Sequence, residues 1–251
     1  FHCWKKDGHG WLNMVGAIEQ SCDVYFYELA KRVGIRRIGE MAARFGFGET
    51  FNFGLPGENR GLIPTPAWKR KTFGQAWHAG ETLITSIGQG FILCTPLQLA
   101  VMTCRLVNGG RPVSPRLLQN ENRKTLKTKS LQVNPQHLRT ILKGMDKVVN
   151  GPQGTARKVV NRNMKFQFGG KSGSVQVKRI SLDERESGKF KNKDRPWHER
   201  DHAMFVAFAP LKTPRYVASV VVEHGGGGST MAAPIARDIL AETLRLNPSK
   251  S

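Results

Sequence analysis

The sequence predicts an α+β fold, and three observations support it. Apolar residues before Val160 recur at helical spacing, whereas strand-like apolar runs come only after it. No strand–helix–strand alternation joins the two regions, which argues against a parallel α/β sheet. The chain has 251 residues, 39% of them hydrophobic, enough for a real core in one large domain or two small ones. That composition excludes a coiled coil, a collagen and a wholly disordered chain.

Leu12, Val15, Ile18, Cys22, Phe26, Leu29 and Val33 share helical spacing, and Gly34 stops the pattern. One helix is expected before Ser21 and a second over 23–33. Residues 46–66 read as loop, punctuated by Gly46, Gly48, Gly54, Pro56, Gly57, Gly61, Pro64 and Pro66. Thr95-Pro96 opens a helix, because threonine caps and proline suits the first helical position. Asn108-Gly109-Gly110 ends it. Asn134-Pro135 opens another, whose apolar face is Leu138, Ile141, Leu142, Met145, Val148 and Val149. Phe166–Phe168 with Val175–Val177 reads as a first strand. Ala203–Ala209, apolar on both faces, reads as a central one. Tyr216–Val222, rich in valine, is the third. Residues 178–200 are charged and read as a long solvated loop. Met231–Leu246 is a closing helix that would turn Ile235, Ile239, Leu240 and Leu244 toward the sheet.

The formal charge is +20. A basic chain can meet nucleic acid, anionic lipid or an acidic substrate. Its basic residues, including the 123–129 and 189–195 runs, are spread along the chain. They come with no RNA-binding aromatic motif, zinc finger or basic recognition helix, so nucleic acid is not the expected partner. No apolar run reaches the length of a membrane helix. The first residue is Phe1 and no leader pattern follows, so the chain reads as a piece of a longer protein. Cys3, Cys22, Cys94 and Cys104 form no C-x-x-C pair and read as free thiols. His2, Cys3, Asp7 and His9 are metal-capable residue types in one short stretch. They are read as loop residues, with no metal and no cofactor expected.

Two short motifs can carry chemistry. Ser21-Cys22-Asp23 sits at a junction between helices, where a serine is either a helix cap or a site residue. Lys171-Ser172-Gly173-Ser174 lies in the first strand pattern. A lysine beside two hydroxyls suits a carboxylate ligand, and a glycine in a strand marks close approach of one. Ser181-Leu182-Asp183 repeats the first motif's form but lies in the polar loop. Gly225–Gly228 lacks the pattern of a phosphate loop and reads as a flexible strand-to-helix connection. His202 and His224 flank strands without a partner the sequence can name.

Ser21-Cys22-Asp23 and Lys171-Ser172-Gly173 stand in the order of the S-D-N and K-T-G motifs of penicillin-binding proteins. Longer stretches are more specific: Phe45-Gly-Phe-Gly48, Gly54-Leu-Pro-Gly-Glu58, Thr85-Ser-Ile-Gly-Gln-Gly90, Thr95-Pro-Leu-Gln-Leu-Ala100, Asn108-Gly-Gly110, Gly154-Thr-Ala156 and the 202–210 strand. Over nearly its whole length the chain resembles the transpeptidase domain of class B penicillin-binding proteins. The Ser-x-Asp form, Trp4-Lys-Lys and Gly8-His-Gly10 look most like the elongation type, penicillin-binding protein 2. The resemblance implies an antiparallel sheet flanked by helices plus a helical subdomain, incomplete at the N-terminus. Residues 1–160 would be the helical subdomain with the S-x-D motif, and 161–251 the sheet with the K-S-G motif and closing helix. Further sheet strands would come from sequence preceding the nucleophile, leaving an apolar sheet edge or face uncovered. One departure is large: no serine has a lysine three residues later, so S-x-x-K is absent. It is expected upstream of this chain.

The resemblance further implies a peptidoglycan D,D-transpeptidase, a serine acyl-transferase of cell-wall synthesis and cell-shape maintenance and a target of β-lactams. Ser21 and Lys171 would be catalytic, across one cleft. Ser21 would relay a proton to the leaving amine, and Lys171 would supply positive potential beside it. Asp23, Ser172, Gly173 and Ser174 would bind substrate. Implied partners are peptidoglycan stem peptides, β-lactams and a membrane glycosyltransferase of an elongation complex. The implied location is the periplasmic face of the inner membrane, held by a segment outside this chain. The competing readings are a non-catalytic wall-binding or scaffold protein of the same fold, or a basic nucleic-acid binder.

Overall fold

Glycine and proline divide the helical part of the chain into short helices, each started or stopped by an identifiable local signal. The computed structural model describes residues 1–52, 54–118, 130–160, 164–178 and 192–247. Ser181 and Asp183, the 123–129 run and much of the 178–200 stretch lie outside the described residues. The described helices are α1 (Met14–Glu19), α2 (Asp23–Val33), α3 (Ile35–Phe45), α4 (Pro66–Phe73), α5 (Ala79–Ser86), α6 (Pro96–Val107), α7 (Pro135–Asn150) and α8 (Ala233–Leu246). The strands are β1 (Gly169–Val175), β2 (His202–Ala209) and β3 (Tyr216–Val222).

The chain forms two compact units. The first is Phe1–Ala17 with Ser21–Lys143, and the second is Ile18–Gln20 with Gly144–Ser251. The division therefore falls inside α7, ahead of the change in sequence pattern after Val160. Ile18 belongs with the second unit because a side chain at Gly144 would fall 2.7 Å from its Cβ, a separation only glycine permits.

In the first unit, Thr95 caps α6 by accepting from the Gln98 N–H at 3.1 Å. Gln98 returns the bond to the Thr95 N–H at 3.0 Å, a complete capping box. Gln98 is fully buried, and its amide nitrogen donates to Glu49 O (2.9 Å) and Arg60 O (2.8 Å). One side chain thus starts a helix and pins the Gly/Pro-rich loop beside it. Buried Arg105 donates to Arg44 O at 2.9 Å, satisfying a carbonyl at the end of α3. Helices α3, α4 and α5 are absent from the sequence reading. Gly34 does end α2 at φ +78°, but α3 begins at the very next residue.

In the second unit the three strands run antiparallel in the order β1-β2-β3. Lys171 stands opposite Val206, Gly173 opposite Met204 and Ser174 opposite Ala203. Phe166–Phe168, expected in β1, precede it; the strand begins at Gly169. Its glycines have little strand propensity of their own. Pairing with β2 supplies the strand, and the glycines leave room for buried Phe205 and Phe208. A Cβ on Gly170 would lie 2.5 Å from Phe205 Cε1. Each such fully buried apolar side chain contributes roughly 1.5–3 kcal/mol.

The closing helix corrects one expectation. Ala233, Ala236 and Leu240 are buried, while Ile235 and Ile239 are 42% and 47% exposed. Small alanines let the helix approach the sheet closely, and this rotates the larger isoleucines outward. With Met231, also exposed, they leave an apolar stripe on the described surface. Among the described strands, β1 and β3 are both sheet edges.

Candidate functional site

Ser21 takes the left-handed conformation, φ +54°, between α1 and α2. For a non-glycine residue this costs on the order of 1–3 kcal/mol, so surrounding contacts must impose it. They are visible. The Cys22 N–H donates to Ala17 O at 2.9 Å, closing the end of α1. The Trp4 indole donates to Ser21 O at 3.0 Å, and the Trp4 N–H donates to Asp23 Oδ2 at 3.3 Å. The residue that caps α2 is Cys22, without a side-chain cap bond, so the capping reading of Ser21 does not apply. Asp23 opens α2, where the helix dipole favours its negative charge.

The same segment brings three soft donors together. Cys3 Sγ lies 3.5 Å from His9 Nδ1 and accepts from the Asp23 N–H at 3.3 Å. One ligand atom each from Cys3, His9 and Cys22 falls within a mutual 4.8 Å. Burial, then the charge of Lys5, lowers the His9 pKa, which favours the neutral, ligating imidazole. His9 Nε2 is buried without a hydrogen-bond partner. Two thiols and an imidazole are the donor set of a tetrahedral zinc site with a fourth position left over. The expectation of no metal rested on residues 2–9 alone. Of those, His2 and Asp7 are outside the cluster, and Cys22 reaches it only through the α1–α2 turn.

The second motif lies on β1. Lys171 and Ser172 are half-buried, while Gly173 and Ser174 are exposed along a sheet edge. An edge strand keeps outward backbone donors and acceptors that an extended peptide can pair with. Lys171 Nζ donates to Ser172 O at 2.9 Å. Ser172 Oγ lies 3.4 Å from Thr155 Oγ1. Thr155 is itself placed by Glu19, whose carbonyl accepts the Thr155 N–H at 3.3 Å and whose carboxylate accepts the Gln153 N–H at 3.1 Å. Ser174 Oγ accepts the Gly228 N–H at 3.3 Å. In the sequence Gly154-Thr-Ala156 marks the place of Thr155, whereas Gly228 stands only as the last residue of a connection read as flexible. An open groove of about 430 Å³, lined by Lys165, Phe166, Pro210 and Lys212 among others, lies at the Gly169 end of β1, away from Ser174.

The two motifs occupy different units: Ser21 and Asp23 the first, Lys171 to Ser174 the second. Comparison with known proteins gives a consistent result. A family model described as the penicillin binding protein transpeptidase domain matches residues 1–241. The peptidoglycan D,D-transpeptidase MrdA of Salmonella typhimurium is 36% identical over 246 residues, covering 94% of this chain and 39% of that protein. The crystal structure of Pseudomonas aeruginosa PBP2 in complex with WCK 5153 superposes with a TM-score of 0.85 at 36% identity. It covers 100% of this chain and 53% of that one. Helicobacter pylori PBP2, solved in complex with MreC, gives 0.84 at 33% identity, over 99% of this chain and 43% of that one. The chain thus spans about two fifths of the length of the curated relative it matches.

Proposed function

The chain belongs to the penicillin-binding protein transpeptidase family, and from that premise we propose that it is part of a peptidoglycan D,D-transpeptidase of cell-wall synthesis. The observation that carries the proposal is β1, an edge strand presenting a lysine and two braced hydroxyls where an extended peptide can pair.

The reaction is acyl transfer. A serine outside this chain attacks the D-Ala-D-Ala amide carbonyl, the C–N bond breaks, and D-Ala leaves. The amine of a neighbouring stem peptide then displaces the serine oxygen from the acyl-enzyme. Ser21 relays the proton that the leaving nitrogen needs. Lys171 supplies positive potential that lowers the cost of that transfer. Asp23 contacts the stem peptide. The Ser172 and Ser174 hydroxyls hold the terminal carboxylate, Gly173 lets substrate approach the strand, and the Ser174 N–H is one oxyanion donor. A β-lactam follows the same course with its ring amide. The charge of +20 suits carboxylate- and pyrophosphate-bearing precursors and an anionic membrane surface.

By analogy with the MreC complex of the Helicobacter pylori protein, the partners are components of an elongation assembly at the periplasmic face of the inner membrane. Among the described residues no helix is long and apolar enough to cross a membrane. The absence of S-x-x-K from the chain keeps a second reading open, a wall-binding scaffold of the same fold. One experiment separates them. A fluorescent penicillin is reacted with the full-length protein and with this chain alone, and a denaturing gel is read. The full-length band is labelled and the chain is blank. An unlabelled, folded full-length protein would favour the scaffold; a labelled chain would show that the nucleophile lies within these residues.

A further inference from the structure

Trp4 is bound into the S-x-D turn in a way that core packing does not explain. Its side chain is 61% exposed, so little of the core rests on it. Its ring meets the His9 imidazole edge to face, with centroids 5.4 Å apart. Both of its nitrogens donate to the motif, across 17 and 19 positions of sequence: the indole N–H to Ser21 O at 3.0 Å, the main-chain N–H to Asp23 Oδ2 at 3.3 Å. Cys3, the residue before it, accepts from the Asp23 N–H at 3.3 Å. Residues 3 and 4 thus form a strap over the turn, with a hold on each of its two named residues.

The indole bond falls on a sensitive atom. The Ser21 carbonyl and the Cys22 N–H belong to one planar peptide unit. The carbonyl accepts from Trp4, and the N–H donates to Ala17 O in α1 at 2.9 Å. That unit is therefore held at both of its polar atoms, by the strap on one side and by α1 on the other. Ser21 itself stands at φ +54°, a conformation a serine keeps only where its surroundings impose it. A residue in that state relaxes by turning the peptide units on either side of it, and the turn carries its side chain to a new direction. The unit after Ser21 cannot turn without breaking both bonds.

We propose that Trp4 is a positioning residue for acyl transfer: by holding the Ser21 carbonyl, its indole N–H keeps the Ser21 side chain aimed for proton relay to the leaving nitrogen. This rests on the transpeptidase reading and adds to it a residue outside both motifs. Trp4 acts through Ser21, not on the reacting atoms.

The test uses the full-length protein and two acylating compounds that differ in their need for a proton. With benzylpenicillin the ring C–N bond breaks as the serine ester forms, and the nitrogen must take up a proton. With N-benzoyl-D-alanyl thioglycolate the C–S bond breaks, and the thiolate leaves without one. Trp4→Phe keeps an aromatic ring and the main-chain N–H and removes the indole donor. It lowers the acylation rate constant for benzylpenicillin about tenfold, the size of a misdirected proton transfer, with little change in affinity. The thioester rate stays within about twofold, which also shows that the variant is folded. In a Ser21→Ala background, Trp4→Phe has no further effect beyond about twofold, because the residue it acts through is already lost. Equal losses for penicillin and thioester would mean general distortion and would overturn the proposal. So would an unchanged penicillin rate in Trp4→Phe, or losses that multiply in the double variant. If the native protein does not take the thioester, the double-variant comparison decides alone. If it is acylated by neither compound, the transpeptidase reading fails, and this inference with it. If it is acylated but Ser21→Ala costs nothing, the family activity stands and the inference alone falls.

Discussion

Glu81 gives a prediction whose size follows from the structure. It begins α5 as the third residue of a capping box, accepting the His78 N–H at 2.7 Å, and its other oxygen meets Lys69 Nζ at 2.5 Å. The Lys69 and Glu81 side chains are only 3% and 19% exposed. Glu81→Gln keeps a cap acceptor but removes the charge, leaving Lys69 buried without its counter-ion. Removing one partner of a buried pair costs roughly 3–5 kcal/mol. Because glutamine can still serve one of the two bonds, the lower end, about 3 kcal/mol, is expected. For a chain of this size that is a fall of roughly 6–12 °C in melting temperature. The paired change Lys69→Met with Glu81→Leu, which removes both charges, should cost less than either single change. The pH dependence has a definite sign. Burial raises the Glu81 pKa, but the His78 N–H and Lys69 outweigh it, so the folded value lies below the usual carboxylate value. The pair's contribution is therefore present above about pH 4.3 and is lost as pH falls through the folded value. The native protein and Glu81→Gln should converge in stability on acidification below about pH 4. Thermal and urea unfolding of the two proteins from pH 3 to 7 measures this. A difference near neutrality below about 2 °C, or a gap that widens toward acid, would refute the argument. The consequence reaches the S-x-D motif, because α5 packs on α2 and Ser86 Oγ donates to Phe26 O.

Two further predictions concern the metal cluster and the closing helix. With its thiols reduced, the protein should bind one zinc ion through Cys3, His9 and Cys22, and Cys22→Ser should abolish the cobalt-substituted thiolate absorption; native protein that takes up no metal would exclude the site. On α8, Ile239→Glu should change unfolding free energy by no more than about 0.5 kcal/mol, whereas Leu240→Ala next to it should cost about 2–5 kcal/mol. The opposite order in urea denaturation would restore the helix phase expected from the sequence.

What the sequence by itself determined are features whose causes lie within a few residues. Thr95-Pro96 and Asn134-Pro135 announce α6 and α7 because caps and first-turn prolines act locally. The valine run of β3 matches its strand residue for residue, and the motif pattern placed the chain in its family. Helices α3 to α5 carry equally local signals, Thr65-Pro66 among them, which the loop-like glycines and prolines around them obscured. Other features depend on neighbours remote in sequence, and only the tertiary structure decided them. β1 is a strand because β2 pairs with it, although its glycines disfavour the state in isolation. Ile235 and Ile239 face outward because alanines allow α8 a closer approach than a hydropathy pattern reveals. Cys22 joins Cys3 and His9 because Ser21 turns left-handed, and His202 finds His224 because β2 and β3 run antiparallel. Composition and spacing record what each residue prefers. Which donors meet which acceptors is settled only when the chain, closing on its core, must satisfy every buried polar group at once.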